Sequence, residues 1–476
     1  MNFYAEVGTE ILINIVVAYS VIVLLYFLIL NSGYLILLLL ATEQLFYHKR
    51  RSQVRLCSEK DQGFLPSIAI LAPAYNEEPT IIESVRSLLN VDYPELEVIV
   101  INDGSKDKTL AVLKEYFHLF KAPRAVDEGI VTKPVKNVFK SSLDDRLTII
   151  DKENGGKADS LNAGVNYSRS RLFCAIDADS LIEKNALTRL MQSYLEREAK
   201  VVVLGGMVRV ANDCRIENGE VMEARLPKRL LPAIQVMEYI RAFLCGRTGW
   251  NKLNSILIVS GAFGLFERKS VIQAGGYHTD TVGEDMELIV RLHRTMREQK
   301  RSCRILFVPD PVCWTQVPDS LKLLSRQRSR WQRGLIETML SHWKMIGNPR
   351  YGLVGLIGMP YFLAFEMLSP VIEVSGYVVV ILSFVLGWVD ITFFILFLSL
   401  AILLGVVLSL FSFLLEEFTM KRYKNPKDLA KLFGLAVLEN FGYRQLHSWW
   451  RLKGFYDFFR KKKSWGEMQR KAFVHS

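Results

Sequence analysis

"PSIAILAPAYNEEPTIIESVRSLLN" (66–90) opens with a short apolar run ended by Pro and Asn, then takes helical spacing from Pro79. The first half reads as a buried strand running into a loop, and the second as a helix with proline at its start. The same alternation follows directly, with "ELEVIVINDGS" (95–105) as strand and turn and "KDKTLAVLKEYF" (106–117) as helix. Alternating strands and helices predict an α/β domain with a parallel sheet covered by helices. Ligands in such sheets bind at the carboxyl ends of the strands. Asn76, Glu77 and Asp103 stand at two of these ends. Further along, "LTIIDKENGGKADSLNAGVNYS" (147–168) reads as strand, glycine-containing loop and helix, "RLFCAIDADS" (171–180) as a strand ending in Asp-x-Asp, and "KVVVLGGMVRV" (200–210) as another strand. Residues 121–146 are polar and mixed in charge, and read as a surface excursion.

Outside this region the chain changes character. No charged residue occurs from Ile11 to Thr42, nor from Ile391 to Leu415. Both runs exceed the roughly 20 apolar residues that cross a bilayer as a helix. The chain therefore reads as a multi-pass membrane protein with a large soluble domain inserted after the first span. That span lacks a basic leader and is too long for a signal peptide. The net charge is +11, and residues 421–476 hold 14 Lys and Arg against 4 Asp and Glu. With the excess next to a span, anionic lipid headgroups are the expected partner, and nucleic acid is not. "HKRRSQVR" (48–55) follows the first span, while the segment before it has two Glu and no Lys or Arg. The positive-inside rule then puts the soluble domain in the cytoplasm and the protein in the cell membrane. Six cysteines with no CxxC pair fit a reduced compartment.

Asp177 and Asp179 carry the first chemical signal. Residues two apart on an extended segment point the same way, and two carboxylates so placed invite a cation; Mg²⁺ or Mn²⁺ shared with substrate phosphates is one arrangement. A lone Asp-x-Asp is more often a solvated turn. Asp103 can accept hydrogen bonds from a nucleobase or ribose, or serve an ordinary Asp-Gly turn. Lys157, after two glycines, can meet a phosphate or remain a solvated lysine at a helix start. Glu284 and Asp285 in "TVGEDMEL" (281–288) stand at a loop-to-helix junction, where acidic residues also serve as caps. "SRQRSRWQRG" (325–334) places arginines around Trp331 at the edge of the second membrane region. An arginine there can grip phosphate in a bidentate way, and the segment can lie in the membrane interface.

Taken together, "PAYNE" (73–77), "NDGS" (102–105), "GGKADSLNAG" (155–164), "DAD" (177–179), "SGAFG" (260–264), "GED" (283–285) and "QRSRW" (327–331) resemble the membrane-embedded processive family 2 glycosyltransferases. These include the poly-N-acetylglucosamine, hyaluronan, chitin and cellulose synthases. The resemblance spans roughly residues 66–334 and implies a GT-A fold, the Rossmann-like nucleotide-diphospho-sugar transferase domain. It implies UDP-sugar contacts from Ala74, Tyr75, Glu77, Asp103, Lys157, Asp177, Gln327, Arg330 and Trp331. Asp179, with Asp177, would hold Mg²⁺ or Mn²⁺. Asp285 would be the general base, with Glu284 beside it. Ser260, Gly261, Ala262, Phe263 and Trp331 would receive the acceptor. The implied reaction is inverting and processive, making a β-linked polysaccharide from a UDP-sugar, UDP-N-acetylglucosamine first, and passing it across the membrane. The alternatives are a non-processive transferase adding one sugar to a lipid or glycan, and a transporter with an inactive transferase domain. Two positions depart from the family pattern: Asn102 replaces the first of two acids, and Gly283 replaces a common threonine.

The expected layout is a membrane helix over 1–45, the transferase domain over 46–318, interface helices over 319–350, membrane helices over 351–418, and an amphipathic basic segment over 419–476. No further regulatory domain is expected; partner subunits are compatible with the sequence. Glu366 and Glu373 interrupt the second apolar region, seven residues apart. Carboxylates at that depth usually face protein or a water-filled cavity. Pro360 and Pro370 are expected to break the segment and leave Glu366 in the interface, with Glu373 open. Gln235, Glu238 and Tyr239 read equally as acceptor-side or packing residues.

Overall fold

The computed structural model describes residues 2–52, 65–126, 129–196, 201–217 and 219–460. The basic run after Arg460, residues 53–55 of the run after the first span, and Cys57 lie outside them. The chain begins with helix α1 (Asn2–Ser52) and continues through β1 (Ile68–Ala74), α2 (Ile81–Leu89), β2 (Leu96–Asp103), α3 (Thr109–Tyr116), β3 (Leu119–Lys121), β4 (Val135–Ser141) and β5 (Leu147–Lys152). Next come α4 (Lys157–Tyr167), β6 (Leu172–Ile176), β7 (Ser180–Ile182), α5 (Ala186–Leu195), β8 (Val201–Val210), and a small hairpin of β9 (Arg215–Glu217) and β10 (Glu220–Glu223). A nearly continuous helical run holds α6 (Leu230–Tyr239), a π-helical stretch Ile240–Arg247 and α7 (Thr248–Lys252). The domain closes with β11 (Phe263–Glu267), α8 (Arg268–Gln273), α9 (Glu284–Glu298), β12 (Arg304–Thr315) and α10 (Leu321–Ser341).

Ten strands form one sheet in the order β3-β4-β5-β2-β1-β6-β11-β8-β12-β7. β5, β2, β1 and β6 run parallel. The expected all-parallel sheet is corrected here, because β11 inserts antiparallel between β6 and β8. The expected surface excursion is corrected too, because β4 pairs antiparallel with β5 and β3 with β4 at the sheet edge. β4 turns Phe139 into the core while Lys136 stays exposed. Such half-polar alternation with lysines is the usual dress of an edge strand, and it hid the strand among polar residues. The strand order reverses at β1, which pairs β2 on one side and β6 on the other. A crevice at the carboxyl ends of β1, β2 and β6 follows, the switch point where open α/β sheets take ligands. α4 is buried on nearly all sides. Its Gly164 lets the backbone approach Leu71 and Ile101, whose methyls an added Cβ would meet at 3.1 and 3.2 Å.

Among the described residues two helices are long and apolar enough to cross a membrane, Thr9–Arg50 within α1 and Ile391–Thr419. Between them, α11 (Val354–Met367) and α12 (Ser369–Val385) form a pair bent by 41°, which makes a third span if counted as one. The break falls at Leu368, just before Pro370, which stands in the first turn of α12 and cannot donate to the preceding turn; the expected break at Pro360 does not occur. Pro360 is absorbed by flanking π-helical turns. Asp390 caps α13 (Ile391–Thr419) by accepting the N–H of Phe393 at 2.8 Å. α14 (Pro426–Leu438) and α15 (Tyr443–Phe459) complete the described chain.

Glu366 is not turned toward headgroups. It accepts from Tyr34 of α1 at 3.2 Å and pairs with Arg451 of α15 at 3.5 Å. Glu373 accepts from Ser448 of α15 at 2.6 Å. The candidate span in α1, Thr9–Arg50, is 42 residues long, which at about 1.5 Å per residue is roughly twice the hydrocarbon thickness. Its second half packs on the α/β domain, where the backbone of Gly249 lies directly on that of Leu37. Buried Arg209 of β8 bonds Glu416 of α13 at 2.8 Å, a second tie between sheet and membrane helices.

Candidate active site

The crevice is organised by two lysines. Lys152 ends β5 and is fully buried. Its Nζ pairs with Asp103 at 2.9 Å and Asp159 at 2.5 Å, and donates to the carbonyl of Glu153 at 2.6 Å. Asp103 also accepts the N–H groups of Gly155 and Gly156, at 2.9 and 2.8 Å. Three of the roughly four acceptor positions of its carboxylate are therefore used by the protein. Asp103 is a loop anchor that holds the backbone of "GGK" against the end of β2. Gly156 takes a φ of +87°, which a side chain would strain.

Lys157 begins α4 and points across the crevice. Its Nζ lies 2.5 Å from Asp177, 2.9 Å from the carbonyl of Gly261 and 3.7 Å from Glu284. One cation thus joins three segments separated by 20 to 127 residues. Burial opposes its charge, but Asp177 and Glu284 hold its pKa above the ordinary lysine range. Burial pushes the carboxyl of Glu284 up, against the pull of Lys157. Asp285 accepts the N–H of Met286 at 2.8 Å. A Cβ on Gly261 would stand 3.1 Å from both Asp285 Oδ2 and Lys157 Nζ, so glycine keeps the floor between them open.

The structure distributes the other expected residues unevenly. Asp179 is buried at the end of the Asp-x-Asp turn. Tyr75 is exposed on the crevice loop. Asn76, at a φ of 55°, accepts the N–H of Lys106 at 2.8 Å and ties the first loop to the second. Ala74 and Phe263 have no exposed surface, so they shape the site from behind. Glu77 is buried and accepts from Thr80 at 2.9 Å at the start of α2. Ser260 accepts the N–H of Ala262 at 3.1 Å. Among the described residues no group of three or more His, Cys, Asp and Glu gathers to hold a metal. The donor chemistry of Asp177 and Asp179 suits a hard divalent cation that takes its remaining ligands from a diphosphate.

α10 presents Gln327, Arg330 and Trp331. Arg330 is near enough for its charge to act on Glu284. Gln327 Oε1 is buried without a hydrogen-bond partner. Trp331 is 45% exposed, but the guanidinium of Arg328 sits 4.2 Å over one face of its ring. Only its other face is left for a sugar. Arg328 itself is buried and bonds Glu238 at 2.8 Å, and Tyr443 of α15 donates to the same carboxylate at 2.7 Å. Glu238 is therefore a packing residue between helices. Gln235, with no exposed surface, donates to the carbonyl of Pro318 at 2.8 Å. Tyr239 stacks on Phe243.

α10 reaches the acidic motif by backbone contact. A Cβ on Gly334 would lie 2.7 Å from Cα of Gly283, and one on Gly283 2.8 Å from Cα of Gly334. Glu337 accepts from Val282 N–H at 2.9 Å and Thr281 Oγ1 at 2.8 Å. This explains the departure at Gly283, since a threonine there would collide with α10. Gly334→Ala is expected to cost about 1–3 kcal/mol of stability through overpacking and to lower turnover by shifting Glu284 and its neighbour Asp285 relative to Arg330. Thermal unfolding and initial rates check it; wild-type values in both would contradict the contact.

Below this contact, Glu287 bonds Arg291 at 2.8 Å and His342 at 3.2 Å, clamping α9 to the end of α10. Burial would raise its carboxyl, but the bonds from His342 and Arg291 outweigh that and lower it to about 2. A depressed carboxylate contributes stability that is present above its ordinary value and lost as pH falls through its folded value. The unfolding temperature of the wild type is expected to fall between pH 4.5 and about 2 more steeply than that of Glu287→Gln. Parallel pH curves would contradict this.

The sequence reading missed Lys152, Arg328, Gly334 and Arg247. Arg247 ends the π-helical stretch, with Nε donating to the carbonyl of Val259 at 2.6 Å and its guanidinium 3.6 Å over the ring of Phe243.

Comparison with known proteins bears on this arrangement. The family model described as Glycosyl transferase family 2 matches residues 69–272. The model described as Glycosyl transferase family group 2 matches residues 172–414. A poly-beta-1,6-N-acetyl-D-glucosamine synthase of Staphylococcus epidermidis is 27% identical over 329 residues, covering 68% of this chain and 67% of the relative. The synthase of the same description from Staphylococcus aureus (strain COL) is 26% identical over 333 residues, covering 69% and 68%. Among solved structures, the mannosyltransferase PcManGT from Pyrobaculum calidifontis, in complex with GDP-Man and Mn2+, superposes with a TM-score of 0.54 at 16% identity, covering 93% of this chain and all of that one.

Proposed function

The chain belongs to glycosyl transferase family group 2 and is a glycosyltransferase of GT-A fold, and from that premise we propose that it polymerises a β-linked polysaccharide from a UDP-sugar. UDP-N-acetylglucosamine is the first donor, in keeping with relatives described as poly-beta-1,6-N-acetyl-D-glucosamine synthases. The transferase domain lies on the cytoplasmic side of the cell membrane, and the product passes across. The observation that carries this reading is the Lys157 junction, which gathers Asp177, Gly261 and Glu284 at one point of the crevice.

In the reaction proposed, a hydroxyl of the acceptor's terminal sugar attacks the anomeric carbon of the donor. The new C–O bond forms as the bond to UDP breaks. Asp285 takes the hydroxyl proton, and UDP leaves with the bonding pair. A single displacement of this kind inverts an α-linked donor to a β-link. Lys157 and Arg330 offset charge on the diphosphate. Asp177 and Asp179 would hold a divalent cation with the diphosphate, and Mg²⁺ or Mn²⁺ there would neutralise the leaving group. The related fold of the mannosyltransferase holds Mn2+ with its donor. Gln327 Oε1, an acceptor without a partner, suits a sugar hydroxyl. The free face of Trp331 suits the acceptor ring.

The test is product size. Purified protein in nanodiscs is supplied with labelled UDP-N-acetylglucosamine, UDP-glucose and UDP-glucuronate, singly and in pairs, with Mg²⁺ or Mn²⁺. A long polymer from one donor supports the reading and names the sugar. Products extended by a single sugar would replace it with the non-processive transferase.

A further inference from the structure

Arg247 feels the charge of Asp285, and the reaction above leaves it without a task. Its Nε bond to Val259 and the Phe243 ring beneath its plane fix the guanidinium. Neither contact uses the two terminal amino groups. Among the described residues no hydrogen bond or ion pair involves them, although Asp285 is near enough for its charge to act on Arg247. Burial lowers the pKa of Arg247 to about 10, so it remains charged at neutral pH. A half-buried guanidinium fixed at Nε and over a ring, with its terminal fork unspent, is placed to donate to a ligand.

Its place in the fold indicates which ligand. Arg247 closes a π-helical stretch, an element frequent at functional sites. Val259, its anchor, immediately precedes the segment whose Gly261 floors the space between Lys157 and Asp285. The helix that follows Arg247 packs on the backbone of α1 at Leu37. Arg247 thus leads directly into a helix seated on α1, while the anchor of the "GGK" loop, Asp103, stands at the end of β2 with Lys152.

We propose that Arg247 is an acceptor-binding residue, its free fork donating to neighbouring oxygens of the neutral terminal sugar whose hydroxyl Asp285 deprotonates. This rests on the reaction proposed above. Arginine donates and never accepts. A hydroxyl oxygen held by its fork must turn its own proton elsewhere, and so the fork orients the ring. The attacking hydroxyl itself is left to Asp285, because a donor on that oxygen would weaken it as a nucleophile. The planar fork matches two adjacent ring oxygens, which lysine cannot reproduce.

The experiment uses the full chain in nanodiscs, with UDP-N-acetylglucosamine as donor and a β-linked N-acetylglucosamine trisaccharide as acceptor. Arg247→Gln is expected to raise the acceptor KM about ten- to a hundredfold, while UDP affinity by calorimetry stays at the wild-type value. Arg247→Lys is expected to fall between the two. An unchanged acceptor KM in Arg247→Gln overturns the inference. An equal loss of UDP affinity and acceptor KM in both variants also overturns it, since that marks a structural role. Failure of the wild type with every UDP-sugar would instead bring down the underlying reaction, and the inference with it.

Discussion

Asp285→Asn is expected to lower sugar transfer by about 10²- to 10⁴-fold, the usual contribution of a positioned general base, while UDP still binds. The side chain is nearly isosteric, and asparagine can still accept the Met286 N–H that Asp285 accepts at 2.8 Å. The start of α9 should therefore keep its shape. What is lost is the ability to take a proton. The diphosphate side of the site, built on Lys157 and Asp177, does not depend on Asp285. Transfer rates with labelled donor, set beside UDP calorimetry, separate the two. Near wild-type turnover would assign the proton to another group. Loss of UDP binding in step with transfer would mean that Asp285 serves the donor.

Lys152→Met is expected to destabilise the protein by about 3–5 kcal/mol, the cost of removing one member of a buried charge cluster. Methionine fills the volume but leaves Asp103 and Asp159 facing each other without a cation. Both carboxylates are buried, so water cannot replace the ammonium. Asp103 retains the Gly155 and Gly156 N–H groups, and Asp159 retains that of Lys133 at 3.0 Å. Those bonds orient the carboxylates without neutralising them. The damage should reach the "GGK" loop and through it Lys157, so donor binding should weaken along with stability. Thermal unfolding in detergent measures the first effect and UDP calorimetry the second. A wild-type unfolding temperature would show that Lys152 contributes no net stability.

The departures from the sequence reading share a cause. The anchoring of Asp103 was invisible because a strand-end Asp-Gly faces solvent in isolation; in the fold, Lys152 reaches it from the neighbouring strand. Trp331 looked like an open platform until Arg328, one helical turn back, covered one of its faces. Glu366 looked interfacial because its flanking prolines were visible and Tyr34 and Arg451, 332 and 85 residues away in the chain, were not.

By itself the sequence determined the alternation of strands and helices, the apolar runs long enough for a membrane, the loop chemistry of "NDGS" and "GGKAD", and the acidic and arginine-tryptophan motifs. Each of these is written in neighbouring residues, through periodicity, turn preference and charge. Only the tertiary structure decided that β11 enters the sheet antiparallel, that Lys157 is the meeting point of three motifs, that Gly283 must be glycine because Gly334 lies against it, and that Arg247 is anchored next to the Gly261 segment. These depend on which distant segments pack together, and that is set by the closing of the whole core rather than by any local pattern.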